Sequence, residues 1–269
     1  MKTGSAPRKL EMATVVGIPA AIAVVGAAQA LEGASVRALW QPTAALVVCG
    51  GTLAAVLVSY PMAMIRRTGV ALRDALFVKQ DAIDRTLADI LGYSHVSRRK
   101  GVVALDPEVD RTDDSFLRLA LSLAVDNTPT KLTRQILETE SDSRRELEEA
   151  PAEVLETAAG YMPTLGILGA VLGLIHVMQN LSEPGRLGGG IAIAFVATVY
   201  GVAGANLLLL PMATRLRGNA RRAAVMREIV IEGMVSVQEG VNPRVIEQKL
   251  RGYMTVARRE EKKPLRRVA

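Results

Sequence analysis

Four long stretches without a charged residue, 12–31, 38–65, 157–182 and 187–214, constrain this chain more than any other feature. They are 20, 28, 26 and 28 residues long, and His176 is the only histidine in them. A bilayer's hydrocarbon core, about 30 Å thick, takes roughly 20 helical residues, and each backbone polar group there has to be satisfied inside its own helix. The pattern therefore predicts an all-α integral membrane protein with four transmembrane helices at about 12–31, 43–64, 157–181 and 188–212. The competing reading, buried helices of a large soluble core, fits poorly with so many residues in a row without a charge.

Positive charge sets the orientation, because Lys and Arg are retained on the cytoplasmic side. Of 33 such residues, Lys2, Arg8 and Lys9 precede the first run, 14 lie between the second and third, and 14 follow the fourth. Only Arg37 and Arg186 fall in the other two connections. Both termini and the central segment are expected in the cytoplasm, with short outer turns around 32–42 and 182–188. The net charge of +6 follows from this asymmetry and calls for no nucleic acid. Ala28-Gln29-Ala30 after an apolar run imitates a signal-peptide cleavage site, but the run is longer than such a signal needs and a second span follows directly.

Four segments result: 1–65 with the first hairpin, 66–151 as a cytoplasmic helical domain, 152–216 with the second hairpin, and 217–269 as C-terminal helices with a basic tail. Within the cytoplasmic domain, helical spacing runs from Arg66 to Leu91 and is expected to break at Gly92 and Pro107, with further helices at about 114–125 and 129–147. No β-alternation stands out. Beyond Leu216 an amphipathic helix should reach Gln238, a turn should form at Gly240-Val241-Asn242-Pro243, and a short helix should end near Met254, before a disordered tail. Gly188-Gly189-Gly190 lacks the Lys and Ser/Thr of a phosphate loop and reads as a turn at the membrane edge.

An intramembrane carboxylate is the usual carrier of protons or sodium ions, and these runs contain none; Glu153 and Glu156 stand only at the cytoplasmic entrance of the third. Any ion carrier must then come from another chain. Gly166, Gly169, Ala170 and Gly173 in the third span, with Gly201 and Gly204 in the fourth, instead allow helices to approach closely. Thr198 adds a hydroxyl that either bonds its own preceding turn or ligates a cation or water. Pro163 and Pro211 each remove a helix hydrogen bond near the cytoplasmic boundary and mark hinges. His176 reads as a packed or interfacial side chain, and Cys49, alone, forms no disulfide within the chain. No nucleophile with a base and no metal-ligand cluster is visible, so neither an enzyme nor a cofactor site is expected.

The run Ala159-Gly160-Tyr161-Met162-Pro163-Thr164-Leu165-Gly166-Ile167-Leu168-Gly169-Ala170-Val171-Leu172-Gly173 resembles the third span of the flagellar stator proteins MotA and PomA. Ala197-Thr198-Val199-Tyr200-Gly201 with Ala205-Asn206 and Pro211 resembles their fourth span. Glu32-Gly33 with Gln41-Pro42-Thr43-Ala44-Ala45, and the C-terminal Glu232-Gly233 and Glu239-Gly240-Val241-Asn242-Pro243-Arg244, extend the likeness over nearly the whole chain. The resemblance implies a homopentamer in the bacterial inner membrane around the single spans of a MotB-type, peptidoglycan-binding partner, whose Asp carries the ion. It implies torque on a rotor bearing a FliG-type switch protein.

It also implies an ion path and coupling set of Pro163, Ala170, Thr198, Tyr200 and Pro211, and a rotor interface of Arg98, Arg99 and Asp106, the last replacing the commoner Glu. Sodium-driven members characteristically carry Thr seven residues after the third-span proline; Ala170 stands there and points to the proton. The alternatives are a sodium-driven PomA-type stator, an ExbB or TolQ-like energising subunit, which usually has three spans, and a non-conducting membrane scaffold.

Overall fold

The computed structural model describes residues 9–10, 12–31, 33, 35–75, 77–78, 83–179, 182 and 184–262. Lys2, Arg8, Glu32, Ala34, Glu183 and the tail 263–269 lie outside them. Among the described residues the chain is helical apart from turns and one antiparallel pair of two-residue strands, Lys9–Leu10 and Phe77–Val78. In order come α1 (Met12–Leu31), a 3₁₀ turn (Val36–Leu39), α2 (Pro42–Ser59), α3 (Met62–Ala75), α4 (Ile83–Lys100), α5 (Asp106–Arg111), α6 (Ser115–Val125), α7 (Thr130–Gln179), α8 (Pro184–Ala203), α9 (Leu210–Gln238) and α10 (Pro243–Lys262). Two π-helical turns interrupt the α geometry: Leu46–Gly50 inside α2, and Gly204–Leu209 between α8 and α9.

Among the described residues, three helical stretches are long and apolar enough to cross a membrane: Pro42–Ser59, and windows within Thr130–Gln179 and Leu187–Gln238. The first expected span is α1, 20 residues long, whose described apolar stretch is Val16–Leu31. The chain divides into two compact units. One comprises residues 8–78 and 149–217 and holds the apolar helices; the other comprises 79–148 and 218–269.

Several sequence expectations give way here. Gly92 does not break α4, which runs on to Lys100 because Ile90, Tyr93, Ser94 and Ser97 are buried on one face while Gly92 sits exposed on another. The helix expected at 129–147 does not stop before the third span: α7 is a single helix of 50 residues that contains both Pro151 and Pro163. Gly188-Gly189-Gly190 lies within α8 instead of forming a turn, and α10 extends past Met254 to Lys262.

Helix ends in the second unit follow local chemistry. Asp114 caps α6, its Oδ1 accepting the N–H of Phe116 at 2.8 Å. Positive φ values at Gly101 (86°), Asn127 (53°) and Gly240 (69°) stop α4, α6 and α9, Gly101 with a ψ of 161° that is open essentially to glycine alone. Between these ends, Ile90, Leu105, Phe116, Leu121, Leu137, Ile229, Met234, Ile246 and Leu250 form one core, so α9 and α10 close it over α4 to α7.

Glu232 is buried beside that core and accepts a hydrogen bond from Arg134 at 2.6 Å, with Lys249 on its other oxygen. The Arg134 hydrogen bond, with help from Lys249, holds its carboxyl below the usual carboxylate range. Neighbouring Glu228 is raised by burial and then by the Glu232 charge. Because the Glu232 pKa is depressed in the fold, its stabilisation is present above the ordinary carboxylate value, about 4.3, and is lost as the pH falls through the folded value. Glu232→Gln should therefore destabilise this unit by about 1 to 3 kcal/mol at pH 7. The difference from wild type should shrink below about pH 4, as read by amide hydrogen exchange along 130–148.

Candidate functional site

In the unit of residues 8–78 and 149–217, α7 and α8 meet through glycine. A Cβ on Gly166 would lie 2.9 Å from the carbonyl oxygen of Ala197, and one on Gly201 would lie 2.8 Å from that of Met162. Further along, a Cβ on Gly173 would meet the backbone nitrogen of Ala194 at 2.9 Å, and one on Gly169 the Ala197 methyl at 2.8 Å. Gly204 faces the flexible end of Met162. The small residues at three- and four-residue spacing form the contact surface between these two helices, with Val47 of α2 packing beside Gly169.

Two polar clasps tie α2 and its preceding turn to this pair. The Tyr200 hydroxyl donates to the Leu39 carbonyl and accepts the Gln41 N–H at 3.4 Å. At the other end, the Tyr60 and Thr157 hydroxyls pair at 2.7 Å, and Ser59 pairs with Tyr161 at 3.1 Å. Below these, Arg217 binds Glu156 at 2.7 Å and the Arg215 Nε donates to the Ala75 carbonyl at 2.8 Å. These polar groups cluster where the apolar runs end, as a bilayer requires.

Pro163 and Ala170 are half-buried on α7, Tyr200 is half-buried on α8, and Thr198 and Pro211 are exposed. The Thr198 hydroxyl makes only a long bond, 3.4 Å, to the Ala194 carbonyl, whereas Thr52 makes a short one, 2.6 Å, to Val48. Thr198 thus keeps most of its hydrogen-bonding capacity on an exposed face. Its Cα lies 3.5 Å from where a Gly166 Cβ would be, so it sits on the glycine seam itself. Pro163 has no N–H for the Ala159 carbonyl, yet α7 continues through it. Pro211 stands two residues after the last residue of the π turn Gly204–Leu209, which loosens the ladder where the proline ring would otherwise strike it.

In the other unit, Arg98 and Arg99 are exposed in the last turn of α4, and Asp106 is exposed as the first residue of α5. The two arginines line an open cleft of about 370 Å³ with His95, Asn242, Pro243 and Arg244, and Asp106 is not among its lining residues. Among the described residues no group of three or more His, Cys, Asp or Glu could hold a metal ion.

Comparison with known proteins fits this architecture. The Motility protein A N-terminal family matches residues 15–96, and the MotA/TolQ/ExbB proton channel family matches residues 108–229. Motility protein A of Bacillus subtilis (strain 168) is 34% identical over 247 residues, 91% of each chain. The chain belongs to the MotA family of flagellar stator proteins. The flagellar MotAB stator complex from Bacillus subtilis superposes with a TM-score of 0.84 at 33% identity, covering 93% of this chain and 98% of that one. The C. jejuni MotAB structure shares the fold at a TM-score of 0.86 and 24% identity, covering 91% and 96% of the two chains. Chemotaxis protein PomA of Vibrio alginolyticus is 26% identical over 93% of this chain and 98% of its own length.

As a MotA-type stator subunit, this membrane protein places its helix contacts where the sequence shows its glycines. The Tyr200 clasp and the part of Arg244 in the basic cleft were not legible, since each depends on a contact between elements distant in sequence. The seam makes a direct prediction. Gly201→Ala should force α7 and α8 apart and lower stability by about 1 to 3 kcal/mol, because the new methyl meets the Met162 backbone. Gly160→Ala, with nothing within 4 Å, should be silent in the same thermal unfolding assay in detergent.

Proposed function

We propose that this stator subunit conducts protons together with a MotB-type single-span partner and converts their passage into torque on the flagellar rotor. One observation carries the reading: the four uncharged runs contain no carboxylate, while the α7–α8 seam presents Thr198 and small residues instead. A conducting complex then needs its carrier from a second chain, and the two solved relatives are complexes of MotA with MotB. In this reading the partner's membrane Asp binds the proton beside Ala170 and Thr198, with Tyr200 holding α8 against the first hairpin.

Four spans, cytoplasmic termini and a cytoplasmic unit of residues 79–148 and 218–269 complete the topology, supported by 28 of 33 Lys and Arg falling in the central and C-terminal segments. The homopentamer rests on the family resemblance; the apolar side chains that the single chain leaves exposed on α7 and α8, among them Ile167, Val171, Ile175 and Phe195, suit lipid and a neighbouring subunit alike. Arg98, Arg99 and Asp106 serve as the rotor interface. The proton is favoured over sodium because a dehydrated sodium ion needs several oxygen ligands and Ala170 supplies no hydroxyl.

Swimming at fixed pH should persist when potassium replaces sodium and should stop with a protonophore. Collapse on sodium removal with persistence under the protonophore would identify the sodium-driven alternative. In the same strain, Pro163→Ala and Pro211→Ala should each leave the protein in the membrane and paired with its partner while abolishing torque, since each restores a backbone bond that the moving helix lacks. Wild-type speed in both variants would remove the prolines from the coupling mechanism.

A further inference from the structure

We infer that Asn206 is a water-holding station on the cytoplasmic side of Thr198, where the carbonyl and side chain of one residue receive the conducted proton; the inference rests on the proton-driven stator reading above. Phe195, Thr198, Val202 and Asn206 are exposed at three- and four-residue intervals and so share one face, while Val196, Ala197, Gly201, Gly204 and Ala205 are buried on the other. Asn206 therefore stands on the Thr198 face, about 12 Å further along at about 1.5 Å per residue. It is still inside the fourth uncharged run, 187–214.

The backbone at Asn206 lacks a donor. In α geometry its carbonyl would accept the N–H of Leu210, and in π geometry that of residue 211. Leu210 donates instead to the Ala205 carbonyl, and residue 211 is proline, which has no N–H. Pro211 also deprives the Leu207 carbonyl of its partner in the α register. The π turn in α2 differs: there Gly51 donates back to Val47 in the α register, and no proline follows before Pro61. The Asn206 side chain widens the gap. Its Nδ2 donates to the Val202 carbonyl at 2.9 Å, leaving Oδ1 as an acceptor that no described residue serves. Carbonyl oxygens without donors are tolerated at membrane depth where they line water, not where they face lipid, because hydrocarbon has no donor to offer them. The π turn and the proline together thus place a wet, acceptor-only site on the face that carries Thr198.

The acceptors select what binds. Oxygens that have lone pairs and no hydrogen receive donors, so they hold water or hydronium and reject anions. Two or three of them do not replace the oxygen shell that a dehydrated metal cation requires, but they match a water, which makes about three hydrogen bonds. A proton leaving a carboxylic acid on the partner's span passes to the held water, which becomes hydronium and gives a proton on to cytoplasmic water. The partner keeps a carboxylate, and the station ends with neutral water.

The test uses the full-length protein with its partner, in a strain without other stators. Asn206→Leu, which keeps the size and removes the acceptor, should lower swimming speed about fivefold or more, with membrane level and partner co-purification unchanged. Asn206→Gln, which keeps the amide, should retain more than about half of the speed, and Leu207→Met, an exposed apolar exchange in the same turn, should retain it all. Release on the cytoplasmic side adds a signature that a packing role lacks. Acidifying the cytoplasm with a permeant weak acid at fixed external pH should slow Asn206→Leu proportionally more than wild type, whereas lowering the external pH should not. If Asn206→Leu fails to assemble with the partner, Asn206→Ala is read in its place; failure of both would overturn the station and make Asn206 a contact between chains. Equal proportional slowing of variant and wild type under the weak acid would overturn it too, as would an Asn206→Gln speed as low as that of Asn206→Leu. Wild-type speed in Asn206→Leu, in a strain that deletion of this chain renders immotile, would overturn the station and leave the stator reading intact. Motility that survives the deletion, or that follows sodium instead of the proton, would overturn the reading on which the station rests.

Discussion

At Gly166 and Gly201 only hydrogen separates the backbone of α7 from that of α8. Inside a bilayer, helices gain nothing by hiding apolar side chains from one another, because lipid tails are equally apolar; attraction comes from dispersion between closely packed backbones. A gap of about 0.5 to 1 Å forfeits roughly a quarter to a half of that attraction, so the seam fixes where each side chain on both helices stands. The placement of Thr198, the packing of Val47 against Gly169 and the reach of Tyr200 to Leu39 all follow from the same two helices being in contact.

The unit of residues 79–148 and 218–269 is held by different forces. Its core of Ile90, Leu105, Phe116, Leu121, Leu137, Ile229, Met234 and Ile246 excludes water, and burial of that apolar surface drives it together. Within it, Glu232 bridges Arg134 and Lys249, and Arg227 grips both oxygens of Glu148 at 2.8 and 2.9 Å. Ion pairs of this kind add little net stability relative to apolar packing, but one partner without the other is costly, so they specify which helix faces meet. Non-local pairs such as Arg227 with Glu148 do this across 79 residues of sequence.

The uncharged runs made the membrane helices legible, because exclusion of charge is a property of each residue taken alone. The glycines were legible for the same reason: their spacing on a helix defines a face before any partner is known. The helix expected to end near Leu147 runs on into the third span, since Pro151 and Pro163 each remove only one hydrogen bond and do not end a helix of 50 residues whose flanking turns are packed. Gly92 likewise weighed less than the buried face formed by Ile90, Tyr93 and Ser97. Helicity at Gly188-Gly189-Gly190 ran against local propensity as well. What no local pattern could reveal was partnership: that 218–250 closes the core begun at 79–148, or that Arg244 stands beside Arg98.

The π turn at Gly204–Leu209 has a bearing on how such a chain can vary. A π turn accommodates one residue more than an α-helix does over the same rise, and successive α-helical residues are set about 100° apart. Losing a single residue there would relax the turn to α geometry over the same rise and leave Met212, Ala213 and Leu216 facing Ala75, Ala152 and Leu155, with which they share a core, whereas losing one from the regular helix beyond it would swing them by about 100°. Substitutions in this stretch are tolerated by the packing at Asn206 and Leu207, both exposed, and the wide turn also absorbs the loss of one residue, which the regular helix on either side does not. Related chains can therefore carry one residue fewer between Ala203 and Leu210 and still present the same face beyond it.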